Sequence, residues 1–311
     1  MSSFKTRRAL IYIALIAVAL TWELLPQKSM SAPATSFEVA SWNMRWFPSG
    51  YMERQSEKDE KKRLSQAARL MRQQSLPDIL LVQEIRDMET CRALAEQLDD
   101  KAFRPVVCSS FIDYESQEPA LQQLAIFSRY KALVAGYEPW HVADFVYPPR
   151  GYAFAVFEIG GQLVACFNVH LKSNYIPEGQ DLERQATLNR LKRELSARQI
   201  LDRIELFQRE GVKGRPVASF IVAGDFNTSL FDKTYHAEAT IRSMFDAGFS
   251  NAHEGLEGDA YATLPANQYY PAATFDYILY NGLLPVGKAQ VLPEVWISDH
   301  REIRAEFNVI K

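Results

Sequence analysis

Residues 219–227 read SFIVAGDFN: an apolar run, a glycine, and then Asp225 and Asn227 around a phenylalanine. Such a run, bounded by glycine and polar residues, is typical of a buried β-strand. A carboxylate directly after a buried strand is held rigidly and is partly desolvated, which strengthens its hold on a hard cation and shifts its pKa. The stretch therefore predicts a strand that ends in a reactive group.

The same arrangement recurs along the chain, where polar residues close or flank further apolar runs. A single polar residue at the end of a strand indicates nothing about function, whereas a series of them predicts one functional site formed at the ends of several strands. The series consists of Asn43 after FEVASW, Glu84 after DILLVQ, His170 after LVACFNV, Asp276 in TFDYILY, and Asp299 with His300 near the C-terminus.

Strand patterns outnumber helical patterns. Apolar, β-branched runs predict strands at 37–43, 78–84, 103–109, 121–128, 152–159, 162–171, 217–225, 275–280 and 302–309. Helical spacing predicts helices at 57–74, 91–98 and 182–210, the last one ended by Gly211 and carrying its basic residues on a solvated face. Because the helices interrupt the strands without alternating with them, the pattern favours an α+β sandwich with sheets face to face and helices outside.

Length and composition predict one globular domain after the N-terminal segment, spanning residues 32–311. The chain has 311 residues, 47% of them apolar, and no linker or low-complexity tract is visible. The net charge of -3 is not that of a protein that coats nucleic acid nonspecifically. Any contact with nucleic acid must therefore be local.

The N-terminus resembles a secretory signal. Lys5, Arg7 and Arg8 precede an apolar run from Ala9 to Trp22, and small residues stand just before Ala32. The run is shorter than the roughly twenty residues that span a bilayer comfortably. We therefore expect residues 1–31 to be a cleaved signal peptide or an uncleaved anchor, and the domain to be exported to the periplasm or the medium.

The three cysteines do not predict a metal site or a nucleophile. Cys91, Cys108 and Cys166 have no zinc-ligand spacing, and Cys166 lies within an apolar stretch where a buried thiol is expected. If a disulfide forms within the chain, we expect it to join Cys91 and Cys108. A serine hydrolase is disfavoured because the chain lacks a GxSxG elbow.

Six short motifs occur in order: SWNMR, LVQEI, NVHLKS, GDFN, FDYIL and SDH. Together they resemble the endonuclease/exonuclease/phosphatase superfamily of DNase I-like phosphoesterases over most of residues 37–309. The resemblance implies a four-layer α/β/β/α sandwich of two packed mixed sheets. It also implies a Mg²⁺ or Mn²⁺ ion, and oxygen ligands suit both cations.

The resemblance also implies roles for individual residues. Glu84 is similar to the principal metal ligand, with Asn43 and Asp299 close to the ion. Asp225 is similar to the residue that orients or deprotonates the attacking water, and Asn227 to one that holds a phosphate oxygen. The remaining implied roles belong to His170 and His300, which would donate to the phosphate, and to Asp276, which would fix the ring of His300.

Substrate choice depends on the rim of the site. Arg150, Lys172 and Asn174 are placed to meet an additional phosphate. The NVHLKS form resembles that of secreted nucleases and related bacterial members more than that of inositol phosphatases, and this resemblance favours a nuclease or nucleotide phosphodiesterase. A sphingomyelinase-like or other organic phosphoesterase is the alternative, for which no exposed apolar hairpin is evident, and a non-catalytic binding module is the remote one.

Other features point to no further site. No stretch interleaves basic and aromatic residues as single-strand binding would require. No obligate protein partner is evident, and a monomer is expected. His141, His236 and His253 match no motif and are expected to be exposed or internally hydrogen-bonded.

Overall fold

The computed structural model describes residues 36–113, 116–268 and 270–310, and the predicted signal segment at 1–31 lies outside them. Within these residues, two six-stranded mixed sheets pack face to face. In spatial order the first sheet consists of β11 (Leu283–Val291), β12 (Ile303–Val309), β1 (Ser36–Phe47), β2 (Ile79–Ile85), β4 (Gln123–Ser128) and β3 (Arg104–Cys108). The second consists of β5 (Ala132–Pro139), β6 (Gly151–Ile159), β7 (Gln162–His170), β8 (Ser219–Asp225), β10 (Asp276–Asn281) and β9 (Ser250–Asn251).

Two helices cover the outer face of each sheet. Helices α1 (Glu57–Gln73) and α2 (Met88–Leu98) share one hydrophobic cluster with the first sheet. Helices α3 (Leu182–Glu210) and α4 (Thr240–Asp246) share a second cluster with the other sheet. A third cluster fills the space between the two sheets. The predicted four-layer α/β/β/α sandwich is therefore confirmed.

The longer helices begin where short polar side chains satisfy their free N–H groups. Ser56, Asp87 and Asp181 each accept a hydrogen bond from the backbone N–H three residues onward. At the other end of α3, Gly211 adopts a φ of 68° and ends the helix, as predicted.

Among the described residues every predicted strand and α-helix is present, but three strands and one α-helix were missed, besides two 3-10 helices of three residues each. Strands β5, β9 and β11 lie at sheet edges, and β9 has only two residues. Side chains of β5 and β11 are mostly half-buried or exposed, so their sequences lack the apolar signal of a central strand. The fourth element, α4, is only seven residues long, too short for a clear helical period.

Strand alternation directs one set of side chains into the space between the sheets. On β8, Ile221 and Ala223 pack between the sheets, so Asp225 continues the same face. On β7, Val164 and Cys166 define the inward face that His170 continues. The same period applies to Asn43 on β1 and to Asp276 on β10, and all four polar residues are buried.

A pair of amides joins the two sheets next to these residues. Gln83 of the first sheet donates from Nε2 to Oδ1 of Asn168 of the second at 2.7 Å. Asn168 donates in turn to the carbonyl oxygens of Val82 and Ala125. Burying an amide is unfavourable unless it is hydrogen-bonded, so this pair favours one alignment of the two sheets relative to each other.

All three cysteines are buried free thiols. Burial raises the pKa of the Cys91 thiol, and the neighbouring Cys108 adds to the shift. Among the described residues, no helix combines the length and apolarity needed to cross a membrane.

Candidate active site

Sheet register brings three polar side chains into one row on the second sheet. His170 pairs with Asp225 across parallel strands β7 and β8, and Asp225 pairs with Asp276 across antiparallel strands β8 and β10. Gly224 permits this close approach, because a Cβ there would lie 1.9 Å from the carbonyl oxygen of Val169. The glycine of GDFN is thus required by strand packing, and the row follows from it.

The first sheet supplies Asn43 and Glu84 to the same place. Asn43 Nδ2 lies 3.1 Å from Oε1 of Glu84 and 3.1 Å from Oδ2 of Asp225, so one amide bridges two carboxylates from different sheets. The other oxygen of Glu84 accepts a hydrogen bond from the backbone N–H of Trp46 at 2.9 Å.

Glu84 reaches the site only through an unusual backbone conformation. Leu80 and Val82 face the helix layer, and regular alternation would send Glu84 to the same side. Instead Glu84 has a φ of 60° and interrupts the register of β2 with both neighbouring strands. A non-glycine residue in this region is strained by about 1 to 3 kcal/mol, and such strain concentrates at functional sites.

Asp225 is a buried carboxylate with an altered acidity. Burial and the nearby Asp276 carboxylate raise the pKa of Asp225 to about 7, although His300, the backbone N–H of Asn227 and the amide of Asn43 oppose the shift. A carboxylate with a pKa near neutrality can accept a proton at physiological pH, which is the property of a general base.

His170 lies beside both carboxylates without bonding to either. Its Nε2 is 3.7 Å from Glu84 Oε1 and 3.6 Å from Asp225 Oδ2, beyond a good hydrogen bond. Burial, followed by the positive charges of Arg150, His300 and Lys172, holds the pKa of His170 well below its ordinary value. The ring is therefore neutral at pH 7.

His300 has the opposite character. Its Nδ1 lies 2.8 Å from Oδ2 of Asp276, and its Nε2 faces Asp225 at 3.9 Å. Burial opposes protonation, but Asp276, Asp225 and Asp299 together outweigh it and raise the pKa of His300 to about 10. A pKa in this range favours the protonated ring, which donates from Nδ1 to Asp276, and the catalytic role that the motif implies stays a prediction.

A sequence model described as the Endonuclease/Exonuclease/phosphatase family matches residues 40–300. The chain belongs to this family. Its members are phosphoester hydrolases, so the strand-end cluster is the candidate active site of a phosphoesterase. No match was found among curated proteins.

Several solved structures share the fold at low sequence identity. A family protein from Leptotrichia buccalis is 15% identical with a TM-score of 0.60, covering 88% of this chain and 99% of its own. Mannosyl-6-phosphatase Bt3783 from Bacteroides thetaiotaomicron is 17% identical (TM-score 0.59; 87% and 99% covered). Truncated TDP2 from Caenorhabditis elegans is 18% identical (TM-score 0.57; 88% and 98% covered).

The residues present fit the divalent cation that this family generally needs. Glu84 and Asp225 contact the same amide, and among the described residues neither forms an ion pair with lysine or arginine. Their oxygens are the ligands that Mg²⁺ and Mn²⁺ prefer. Asp225, Asp276 and His300 also place ligand atoms within 4.8 Å of one another. However, Nδ1 of His300 is hydrogen-bonded to Asp276 and the pKa of the ring is raised, so Glu84, with Asn43 beside it, is the better candidate to hold the cation.

The two other residues matched by motif occupy less central positions. Asn227 has a φ of 52°, and its side-chain amide donates to the carbonyl oxygen of Leu171 at 3.2 Å. The side chain of Asp299 is about half exposed and lies 3.6 Å from Nε of Arg45. Asn227 lines the base of the site and Asp299 its rim, and their roles toward phosphate and metal stay predictions.

The predicted phosphate-binding residues are engaged by the protein itself. Arg150 is partly buried and donates to the carbonyl oxygens of His170 and Leu171 at 3.0 and 3.1 Å. Lys172 donates to Ser173 and to the carbonyl oxygen of Tyr175. Asn174 donates to the carbonyl oxygen of Asn227 at 2.9 Å. All three support the site from within, and contact with substrate stays a prediction.

Several contributors were missed because no motif marks them. Trp46 binds Glu84 through a backbone N–H, which any residue type could provide. Gln122 accepts a hydrogen bond from Arg150 across a long sequence separation. Arg193 was assigned to the solvated face of α3, and this is wrong for that residue, which is only 2% exposed. Of the unmatched histidines, His141 and His236 are exposed and His253 is buried with a bond to a backbone carbonyl.

Proposed function

We propose that the protein is a divalent-metal-dependent phosphodiesterase of the nuclease type, with water as the nucleophile. The observation that carries the proposal is the buried carboxylate of Asp225, which has His170 on one side and His300 on the other. The pKa of Asp225 is raised to about 7, that of His170 is lowered and that of His300 is raised to about 10. This arrangement provides a base and two donors of different charge around one position, as phosphoryl transfer requires.

Each residue then has a distinct task. Asp225 takes the proton of the attacking water as the new P–O bond forms, and the bond to the leaving oxygen breaks in line with it. Protonated His300 offsets negative charge on phosphoryl oxygens, and neutral His170 donates a hydrogen bond. Asp276 keeps His300 protonated and fixes its ring. Mg²⁺ or Mn²⁺ held by Glu84 and Asn43 supplies additional positive charge for the phosphate when bound.

A large groove beside the site favours a diester with an extended group over a small monoester. The groove has a volume of about 1140 Å³ and begins at Trp46 and Arg150, which contact the site residues directly. Its walls include the half-exposed ring of Tyr147, the mostly buried Trp140, and side chains of both charges: Arg54, Arg86 and Lys192 with Asp87, Asp113 and Glu118. An exposed aromatic ring and nearby cations suit a nucleotide base and its phosphate. The groove draws on well-separated segments, so no continuous basic and aromatic stretch marks it in the sequence.

The first experiment measures hydrolysis of plasmid DNA, RNA, sphingomyelin, bis-p-nitrophenyl phosphate and mannose 6-phosphate in parallel, with Mg²⁺, Mn²⁺ or EDTA. We expect cleavage of nucleic acid and of the chromogenic diester, lost in EDTA and in Asp225→Asn. Asp246→Asn, an exposed aspartate on α4, is the matched control and should behave as wild type. Activity that persists in EDTA, or in Asp225→Asn, would contradict the proposal.

One observation favours phospholipid as the second candidate substrate. The expectation that no exposed apolar hairpin exists is wrong: Ala143 and Val146 form a bridge around Asp144 and Phe145, both with positive φ, and Phe145 is 90% exposed. A bulky residue in that conformation at the tip of a turn is a rare, strained feature.

The lipid alternative makes its own prediction. Phe145→Asp should reduce binding to phosphatidylcholine–sphingomyelin vesicles in a co-sedimentation assay if the tip contacts lipid, because a carboxylate is poorly accommodated in an apolar interface. Leu284→Asp, at an exposed apolar residue outside the turn, is the control. If the wild-type protein does not bind vesicles and cleaves nucleic acid, the lipid alternative is excluded.

We also propose that the domain is exported, on the pattern of residues 1–31 alone. Fractionation of cells that express the tagged full chain should place it outside the cytoplasm. Replacing Arg7 and Arg8 by glutamate should retain it inside, because the positive charges before the apolar run set the orientation of insertion.

A further inference from the structure

Arg193 of helix α3 is buried in a helix face where the sequence predicts solvated charges. Its Nε and Nη2 donate to the two carboxylate oxygens of Glu238 at 2.8 and 2.6 Å. Glu238 also accepts a hydrogen bond from the hydroxyl of Thr240 at 2.6 Å. The two charges form a bidentate pair, which is geometrically specific as well as strong.

The remaining nitrogen of Arg193 points to the segment that follows His170. Nη1 donates to the backbone carbonyl of Lys172 and to Oδ1 of Asn174, both at 3.0 Å. A guanidinium is the one side chain that can hold a carboxylate and two further acceptors in fixed directions. Arg193 therefore ties α3 and Glu238 to residues 172–174.

From Asn174 the hydrogen bonds continue to the proposed base. Asn174 Nδ2 donates to the carbonyl oxygen of Asn227, and the backbone N–H of Asn227 donates to Oδ1 of Asp225, both at 2.9 Å. The N–H of Leu171 donates to the backbone carbonyl of Asp225 at 2.9 Å. An unbroken series of contacts thus joins Glu238 to the carboxylate of Asp225.

Stability alone does not account for a buried ion pair of this kind. Removing two charges from water is unfavourable, and well-packed apolar residues at such positions are often at least as stable. Apolar side chains could not orient the carbonyl group of residue 172, the side chain of residue 174 or the backbone of residue 227 through hydrogen bonds. The pair therefore contributes more to the orientation of these groups than to stability.

We propose that Arg193 and Glu238 form a positioning pair that fixes residues 172–174 and, through Asn174 and Asn227, holds Asp225 for the reaction. The proposal rests on the function proposed above. Arg193 touches neither substrate nor reacting atoms, and it acts through the side chains it orients.

A second buried pair in the same protein is the matched control. Arg304 Nε donates to Glu302 Oε1 at 2.6 Å, and its guanidinium donates to the backbone carbonyls of Gln74 and Ser75. Its further partner, Glu38, is at the start of β1, whereas Asn43 lies toward the other end of that strand. Arg304 therefore resembles Arg193 in burial and bonding but contacts no residue of the site.

The experiment compares Arg193→Met, Glu238→Gln and Arg304→Met in the full protein. We expect Arg193→Met to lower kcat for bis-p-nitrophenyl phosphate at least tenfold with KM changed less than threefold. Glu238→Gln, which keeps an acceptor for the guanidinium, should lower kcat less than Arg193→Met does.

The control variant Arg304→Met should lower the melting temperature about as much as Arg193→Met does and leave kcat within twofold of the wild-type value. The double variant Arg193→Met with Asn174→Ala should lower kcat by less than the product of the two single-variant fold-reductions, because both residues act through one series of contacts.

A second readout does not depend on activity. Hydrogen exchange of the amides of Leu171 and Asn227 should accelerate in Arg193→Met and not in Arg304→Met. Unchanged exchange with an unchanged kcat would overturn the proposal, and so would an equal loss of kcat in both methionine variants. If wild-type protein cleaves no phosphodiester, the proposed function fails, while hydrogen exchange still decides whether the pair orders the site.

Discussion

His170 and His300 occupy the same site and have opposite electrostatic surroundings. His300 bonds to a buried carboxylate and faces a second one, whereas His170 stays beyond hydrogen-bond distance of both carboxylates near it and is close to Arg150. The pKa of His300 is therefore raised to about 10 and that of His170 is lowered well below its ordinary value. Residue type alone does not assign a role, because a hydrogen-bond partner and a neighbouring cation decide which histidine carries the charge.

The largest effect expected from this contrast is on turnover. His300→Gln removes a positive charge that faces Asp225, and we expect kcat to fall by about a hundred- to a thousandfold, as for loss of one strong electrostatic contact. His170→Gln replaces a neutral donor with another neutral donor and should lower kcat by about tenfold to a hundredfold. Steady-state kinetics on bis-p-nitrophenyl phosphate measures both. Equal losses in the two variants would show that the charge difference has no catalytic consequence.

A smaller, more specific effect is expected in the pH profile. Asp276→Asn removes the carboxylate that raises the pKa of both His300 and Asp225. Protonated His300 and deprotonated Asp225 are the active forms, so both limbs of the kcat/KM profile should move to lower pH. The His300 resonance, followed by NMR in EDTA, should titrate well below its wild-type value of about 10. A histidine pKa unchanged by the substitution would mean that Asp276 does not set the charge.

The smallest effect concerns a buried histidine outside the site. Burial lowers the pKa of His253 to about 4, while its unfolded value is near 6.5. Above about pH 7 the imidazole of His253 is neutral in both the folded and the unfolded chain. Below that pH the unfolded chain binds the proton first, so His253 should lower the free energy of unfolding by about 2 kcal/mol at pH 5 relative to pH 7. His253→Gln should lose part of this acid sensitivity in urea titrations at the two pH values. The exposed His236→Gln should keep all of it, and identical pH dependence in both variants would contradict the prediction.

The ends of the predicted strands and the order of the motifs made much of the site predictable. Asn43, His170, Asp225 and Asp276 all flank apolar runs in the sequence, and the structure adds that each continues the inward face of its strand. Glu84 is the exception, because its left-handed backbone reverses the side to which it points, and no sequence pattern signals that conformation. Its place in the site could be expected from the motif and not from the strand.

Contacts between distant segments were not predictable in the same way. Arg193 stands among other charged residues of α3, and only the fold shows that Glu238 and Asn174 surround it. The groove combines residues from the loop after β1 with others near α2, β6 and α3. Edge strands β5 and β11 were missed because neither buries a full face. In each case the information lies in tertiary neighbours.

The amide pair of Gln83 and Asn168 has a consequence for how this protein loses activity. Glu84 and Asn43 belong to one sheet and His170 and Asp225 to the other, so the site is intact only while the two sheets keep their alignment. Heat or pressure that lets one sheet slide on the other would separate the two halves before either sheet loses its strands. We expect inactivation to precede the loss of circular dichroism on heating, and Gln83→Leu to widen the interval between them.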